Sequence, residues 1–236
     1  MKVTVDQAFW DLFPTASITV MSLYGIDNTV DEAKDPYFKE LLDKGAKRAW
    51  EFIDEENYTQ SEFVQEWRQA FSKFKTKKGA RSSIEALLKR VHQGREFYPI
   101  NPLVDLYNSV SMAYALPCGG EDMDKLVGGL SLGQAKGGEP FFPLGAEEDA
   151  PALEGEIIYY DQEGAVCRCL NWREAQRTML TEETKDAVLV IEAINEEQAS
   201  RAREAMIELH TKIVKYFGVS GKISYLITTN PILEVE

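Results

Sequence analysis

The 236-residue sequence predicts an α+β fold, a mainly antiparallel sheet flanked by helices, in one domain spanning residues 1–236. Helical periodicity is concentrated between about residues 35 and 115 and in one long run after residue 195, while the stretch after Pro117 is Gly-rich and strand-like. No internal repeat, low-complexity tract or long linker separates them, which favours one layered α+β unit. At 44% apolar and 28% charged residues, with 16 Gly and 9 Pro, the composition is that of a globular chain. A chain this long buries a sizeable core without disulfide or metal staples.

Lys2 to Val5 alternates polar and apolar residues, and Ser17 to Tyr24 is rich in Ile, Val and Thr; both read as strands around a short helical turn. From Asp35 to about Lys75 the pattern is helical. Phe38, Leu41, Leu42, Ala46, Ala49 and Phe52-Ile53 form one stripe, and Phe63, Trp67, Ala70 and Phe74 a second after Thr59–Ser61, both of them core-facing. Ile84, Leu87, Leu88 and Val91 mark a third helix. In the next, Asn101 is a natural N-cap and Pro102 suits the first helical position, where no N–H is needed. Leu103, Tyr107, Val110 and Tyr114 give that helix an apolar face, and Asp105, Asn108 and Ser111 a polar one.

Beyond Pro117, Leu130–Ala135, Glu156–Tyr160, Ala165–Leu170 and Ala187–Ile194 are predicted strands, punctuated by turn residues such as Gly137-Gly138 and Asp161–Gly164. Asn195 with Gln198 forms a capping box for a long helix ending at Gly218, with Lys212 and Lys215 complementing its dipole. Lys222–Thr229 is the closing strand.

With 39 acidic against 26 basic residues, the formal net charge is −13, which argues against coating duplex nucleic acid through a basic surface. DNA is not an expected partner, nor is a membrane: no apolar run reaches the ~20 residues needed to span a bilayer. The N-terminus lacks the pattern of a signal peptide, so the expected location is cytoplasmic. Three cysteines, Cys118, Cys167 and Cys169, are too few for a disulfide scaffold and are expected to be reduced.

Several chemistries find no support. The two histidines, His92 and His210, are remote in sequence from any carboxylate or cysteine cluster. Cys167-x-Cys169 reads as a strand with both thiols on one face, where packing is favoured over zinc. Cys118 has no histidine partner near it in sequence. There is no GK[ST] phosphate loop, GxGxxG or GxSxG motif, and no cofactor or metal is expected.

Two segments spend polarity where a scaffold would not. In Ile100–Leu126, Asn108 is a poor mid-helix residue. Pro117-Cys118-Gly119-Gly120 then permits close backbone approach to a ligand, and Glu121, Asp122 and Asp124 follow. In Asn171–Thr178, Trp172 and Arg173 lie side by side ahead of Gln176, Arg177 and Thr178, a combination suited to stacking and to phosphate or ribose contacts. On residue types alone, a turn with a solvated acidic loop and an ordinary loop with a partly buried Trp remain open for these two segments.

The first segment resembles the editing domain of the phenylalanyl-tRNA synthetase beta subunit, matching its pattern at Asn101, Val104, Asp105, Asn108, Pro117, Asp122, Asp124, Lys125 and Leu126. RSSIEALLKRV before it and NWREAQRTMLT after it are similar to free-standing relatives of that domain, and the resemblance covers about Gly79 to Phe217. Synthetase catalytic motifs and anticodon-binding modules are absent, so aminoacylation is not implied. What the resemblance implies is recognition of an aminoacyl group on the 3′ end of tRNA, with hydrolysis of mischarged ester. Asn108 matches a pocket-lining position, Gly119 stands where the family has a pocket histidine, and the family's amino-acid-reading glutamate has no assigned counterpart around Arg173–Gln176.

The expectation is a trans-acting aminoacyl-tRNA deacylase. Asn108 and Ser111 line the acyl pocket, the backbone of Cys118, Gly119 and Gly120 approaches the ester, and Glu121 or Asp122 holds the substrate ammonium or a water. Trp172, Arg173, Gln176, Arg177 and Thr178 meet the terminal adenosine and phosphates. Two alternatives stay open: a noncatalytic module for aminoacyl-tRNA or the acceptor end, and a small-molecule or protein interaction module on the same fold. Between Arg68 and Arg95 nine Lys and Arg meet one acidic residue, Glu85. Lys75, Lys77, Lys78 and Arg81 in this run are the candidate phosphate track, against the simpler reading of a solvated helical face.

Overall fold

The computed structural model describes residues 1–235. Its strands form two sheets rather than one. The first has six strands in the order β10 (Ile232–Glu234), β1 (Lys2–Val5), β4 (Leu130–Gln134), β5 (Ile157–Tyr160), β6 (Ala165–Arg168) and β7 (Arg173–Glu174). All neighbours are antiparallel except β1 and β4, which run parallel with Val3 opposite Leu130. The second is fully antiparallel, in the order β3 (Cys118–Asp122), β8 (Ala187–Ala193), β2 (Ser17–Leu23) and β9 (Lys222–Leu226).

Six helices complete the frame: α1 (Gln7–Leu12), α2 (Asp35–Ala49), α3 (Glu62–Phe71), α4 (Ser83–His92), α5 (Pro102–Tyr114) and α6 (Glu196–Phe217). The helical pattern expected over Asp35–Lys75 breaks at Trp50–Ser61, where two 3₁₀ turns intervene. The caps follow the local sequence. Asn101 Oδ1 accepts from the Val104 N–H at 3.1 Å, and Asn195 Oδ1 accepts from Gln198 at 2.8 Å. Gly218 closes α6 at φ +68, the left-handed region that glycine enters at little cost.

Strand alternation sorts the core into layers, because successive side chains point to opposite faces. On β8, Leu189 and Ile191 pack with Met21, Leu106, Val110, Leu209 and Ile213 under α5 and α6. Val188 and Val190 face the other way and join the core of the six-stranded sheet, with Leu132, Tyr159 and Cys167, and that of α1, α3 and α4, with Trp10, Trp67 and Leu88. The four-stranded sheet is thus sandwiched between helices and a second sheet.

Four expectations need correction. Asp105 and Ser111 are not on a wet face of α5, which is buried on almost every side; Asp105 accepts from the Ile100 N–H and Ser111 Oγ donates to Leu116 O. Cys118–Gly120 is not a turn but the start of edge strand β3. Strand β6 stops at Arg168, and Cys169 and Leu170 turn left-handed at φ +47 and +62. The two thiols therefore do not share a strand face: Cys169 Sγ lies 3.5 Å from the Lys77 N–H, away from Cys167. The closing strand ends at Leu226 and the chain turns back through Ile227–Asn230 into β10.

Candidate functional site

The two sheets leave a cavity of about 370 Å³ between their facing surfaces. Register explains its walls. Gly119 pairs with Val190 and Glu121 with Val188, so these four project to one side of the four-stranded sheet, together with Glu192 two residues further along β8. Tyr159 pairs with Cys167 and Cys167 with Glu174, so these three project from the opposing sheet. Gly119 adds no side chain to this space, and a Cβ there would come within 3.6 Å of Glu174 Oε1.

Three carboxyl groups, on Glu121, Glu174 and Glu192, face this mostly apolar space. Burial pushes Glu174 and Glu192 up to about 7, and pushes Glu121 well above the usual carboxylate range, with the charge of nearby Glu174 adding to the rise. Asn171 Nδ2 donates to Glu192 Oε2 at 2.9 Å and opposes its rise. The hydroxyls of Thr178 and Tyr159 lie close enough to ease ionisation of Glu121 and Glu192 respectively. Yet Glu121 Oε2, Thr178 Oγ1 and Tyr159 Oη are all buried and none completes a hydrogen bond among the described residues. Glu121 and Tyr159 line the cavity itself, and because unsatisfied buried polar atoms are costly, a polar guest there would be favoured. Cys118 and Cys167 also line it, but burial pushes both thiols well above their ordinary value, which leaves them un-ionised.

At the rim, the Arg173 guanidinium lies 5.2 Å from the Trp172 ring centroid and the Lys77 ammonium 5.7 Å from it. Asn171 Oδ1 accepts from the Ser83 N–H at 3.2 Å, and the Lys75 N–H donates to Gly155 O. Residues 75–83 are thereby tied along the Cys169–Trp172 edge, with Lys75, Lys77 and Lys78 exposed. Arg81, at the end of this run, lies 3.8 Å from Glu85 in a neighbouring cleft.

Of the residues expected at the site, Cys118, Gly119, Gly120, Glu121, Trp172 and Arg173 line this cavity. Asn108 and Ser111 do not: α5 packs on the opposite face of the four-stranded sheet. Asp122 is occupied elsewhere, accepting from Thr184 Oγ1 at 2.8 Å and from the Asp124 N–H at 3.0 Å. Gln176 donates to Pro143 O and Ala146 O, Arg177 pairs with Asp161 at 2.7 Å, and Thr178 is buried beside Glu121. Glu174, Glu192, Asn171 and Tyr159 are cavity residues that the sequence alone does not single out. A signal existed for Glu192, the one charged residue within the otherwise apolar strand AVLVIEA. No group of three or more His, Cys, Asp or Glu among the described residues is arranged to hold a metal ion, and none of the described helices is long and apolar enough to cross a membrane.

A family model described as the B3/4 domain matches residues 66–219, well over half the chain, including both walls of the cavity and the basic run. The chain belongs to the B3/4 domain family. Its fold is similar to that of an N-terminal fragment of the phenylalanyl-tRNA synthetase beta subunit from Pyrococcus horikoshii, with a TM-score of 0.50 at 14% identity. That likeness covers 94% of this chain and 49% of the fragment, so the B3/4 chain spans about half the length of the solved relative. No curated protein sequence matches it.

Proposed function

We propose that this B3/4 protein is one domain acting in trans, which binds the aminoacylated 3′ end of tRNA and hydrolyses the ester. The observation that carries the reading is the set of carboxyl groups in an apolar cavity whose lining holds no buried cation. Such a site wants an amine-bearing guest, since a buried carboxylate is expensive until a counter-charge arrives. The rim suits the rest of the substrate: Trp172 offers a stacking face for the terminal adenine, and Arg173, Lys75, Lys77 and Lys78 offer phosphate contacts. Net charge does not oppose this, because the segment Arg68–Arg95 carries +8 and the remainder of the chain −21.

An aminoacyl ester is already activated, so the site needs only to orient it and poise a water. Glu192 is the proposed general base: Asn171 fixes its orientation, and a carboxyl that titrates at about 7 both ionises and accepts a proton near neutrality. It takes a proton from water as the oxygen adds to the ester carbonyl, and the departing ribose hydroxyl recovers that proton. Glu174, beside Gly119, holds the α-ammonium. The thiols are left out of the chemistry because they stay protonated.

The test is release of amino acid from a broad panel of aminoacyl-tRNAs. At least one member is expected to turn over, with Glu192→Gln slowing it by roughly 100-fold or more, the usual scale for a general base. Retained, salt-sensitive tRNA binding with no release from any member would leave a noncatalytic binding module; absence of both would remove RNA from the picture.

A further inference from the structure

Holding an α-ammonium and poising a water employ two carboxyl groups, Glu174 and Glu192, and leave a third. Glu121 is 7% exposed, and its Oε2 completes no hydrogen bond among the described residues, with the Thr178 hydroxyl and the charge of Arg177 only easing its ionisation. The only cationic side chain in the lining, Arg173, is exposed and sits over Trp172. The residues that bear the carboxyl groups are spread along β8. Glu121 stands opposite Val188, Gly119 with its neighbour Glu174 opposite Val190, and Glu192 at the far end of the same strand. At ~3.3 Å per residue, Val188 and Glu192 are roughly 13 Å apart along β8. An α-ammonium held at Glu174, opposite Val190, leaves the Glu121 end of the strand to a second donor. The wall between them is apolar, formed by Val188, Val190 and Leu130.

From this spacing we infer that Glu121 reads a second positive charge, so that the cavity selects a basic acyl group of the lysyl or ornithyl kind over a neutral one of equal length. The inference rests on the aminoacyl-ester reading of the site. The guest lies along β8 with its ester at Glu192, its α-ammonium at Glu174 and its side-chain ammonium at Glu121. Its methylenes run over Val188 and Val190. The orphaned Oε2 then gains a charged donor, whereas a neutral aliphatic side chain would cover it and leave it unpaired. A phenolic hydroxyl could reach Glu121 as a donor, but would bring no counter-charge to the Glu121 and Glu174 pair.

The test uses one tRNA transcript carrying lysyl, ornithyl, norleucyl or tyrosyl ester in turn, under single-turnover conditions. Binding of the four matching non-hydrolysable 3′-aminoacylamido-adenosines is measured in parallel. Lysyl and ornithyl esters are expected to be cleaved at least ~100-fold faster than norleucyl, within the range by which a polar site rejects an analogue lacking the group it binds. Glu121→Gln, checked for an intact melting transition, is expected to bring that ratio below about 10. Norleucyl or tyrosyl cleavage as fast as lysyl, or an unchanged ratio in Glu121→Gln, overturns the inference while deacylation stands. If no ester is cleaved but the lysyl amide binds at least ~10-fold tighter than the norleucyl amide, and Glu121→Gln abolishes the difference, the charge reading stands and the deacylase reading falls. Amides that bind without preference, or fail to bind, overturn it.

Discussion

The two faces of the four-stranded sheet share their strands and differ in almost everything else. Toward α5 and α6, Leu189 and Ile191 meet Leu106, Val110, Leu209 and Ile213 in a closed apolar layer. On the other face the same strand presents Val188, Val190 and Glu192 to a cavity that holds three carboxyl groups and two unpaired polar atoms, Glu121 Oε2 and Tyr159 Oη. One face is built for stability, and the other carries a cost in stability that a polar guest would offset.

Breaking the filled face should have the largest effect on folding. Leu209, fully buried under the sheet, contributes packing alone. Leu209→Ala is expected to cost about 2–5 kcal/mol, which at ~2–4 °C per kcal/mol lowers Tm by roughly 4–20 °C. Turnover per folded molecule, measured well below the new Tm, should change little.

The cavity face should respond in the opposite sense. Glu192→Gln keeps the acceptor for Asn171 but removes a buried charge, so at pH 8 it should raise stability by about 1–3 kcal/mol while slowing turnover by roughly 100-fold or more. At pH 5, where Glu192 is protonated in the fold, the gain should be much smaller. Chemical denaturation at the two pH values measures this; an equal gain at both would mean that Glu192 is not ionising as its burial requires.

The pH profile of the unaltered protein sharpens the same contrast. Glu174 and Glu192 on the cavity face, and Asp105 on α5, have folded-state values of about 7, above those of the unfolded chain. The folded state therefore holds their protons more tightly, and stability should fall as pH rises from about 4.5 to about 7, then level off. Glu208 acts the other way on the helical side. Despite an opposing burial effect, hydrogen bonds from Arg48, Lys212 and Tyr114 hold it down at about 2. Its contribution is present above the ordinary carboxylate value and is lost as pH falls toward 2. A stability maximum at mildly acid pH is expected, and a flat profile between pH 5 and 8 would contradict the upward shifts of Asp105, Glu174 and Glu192.

How far the sequence reveals these two faces depends on the range of the interactions. Asn101, Asn195 and Gly218 act within a few residues, and the helices they bound are legible for that reason. The division into two sheets is not legible, since the pairing of Val3 with Leu130 joins positions far apart in the chain. Cys118-Gly119-Gly120 has a turn's composition, yet β8 supplies it with a partner and makes it a strand. Once it is a strand, alternation decides which residues reach the cavity: Gly119 and Glu121 do, whereas Asp122 turns toward Thr184. Asn108 carries a residue-level signal of polarity in a helix, but its place behind the sheet follows from tertiary packing that no local pattern encodes.

The smallest effect should come from the rim, and it separates the two sides of the molecule as RNA surfaces. Lys77 and Lys78 are exposed beside Trp172, whereas Lys44 and Lys47 are exposed on α2, on the helical side. Neither pair supports the core, so reversal to Glu should leave Tm within about 1–2 °C. If tRNA enters over the Trp172 edge, the Lys77→Glu, Lys78→Glu double variant should weaken binding at every salt concentration. It should also flatten the slope of log affinity against log salt by about 1 for each phosphate no longer neutralised. The Lys44→Glu, Lys47→Glu variant makes the same change in net charge from the other side. Equal weakening by both pairs would mean that overall charge governs binding, and no change from the first would mean that the phosphate track runs elsewhere.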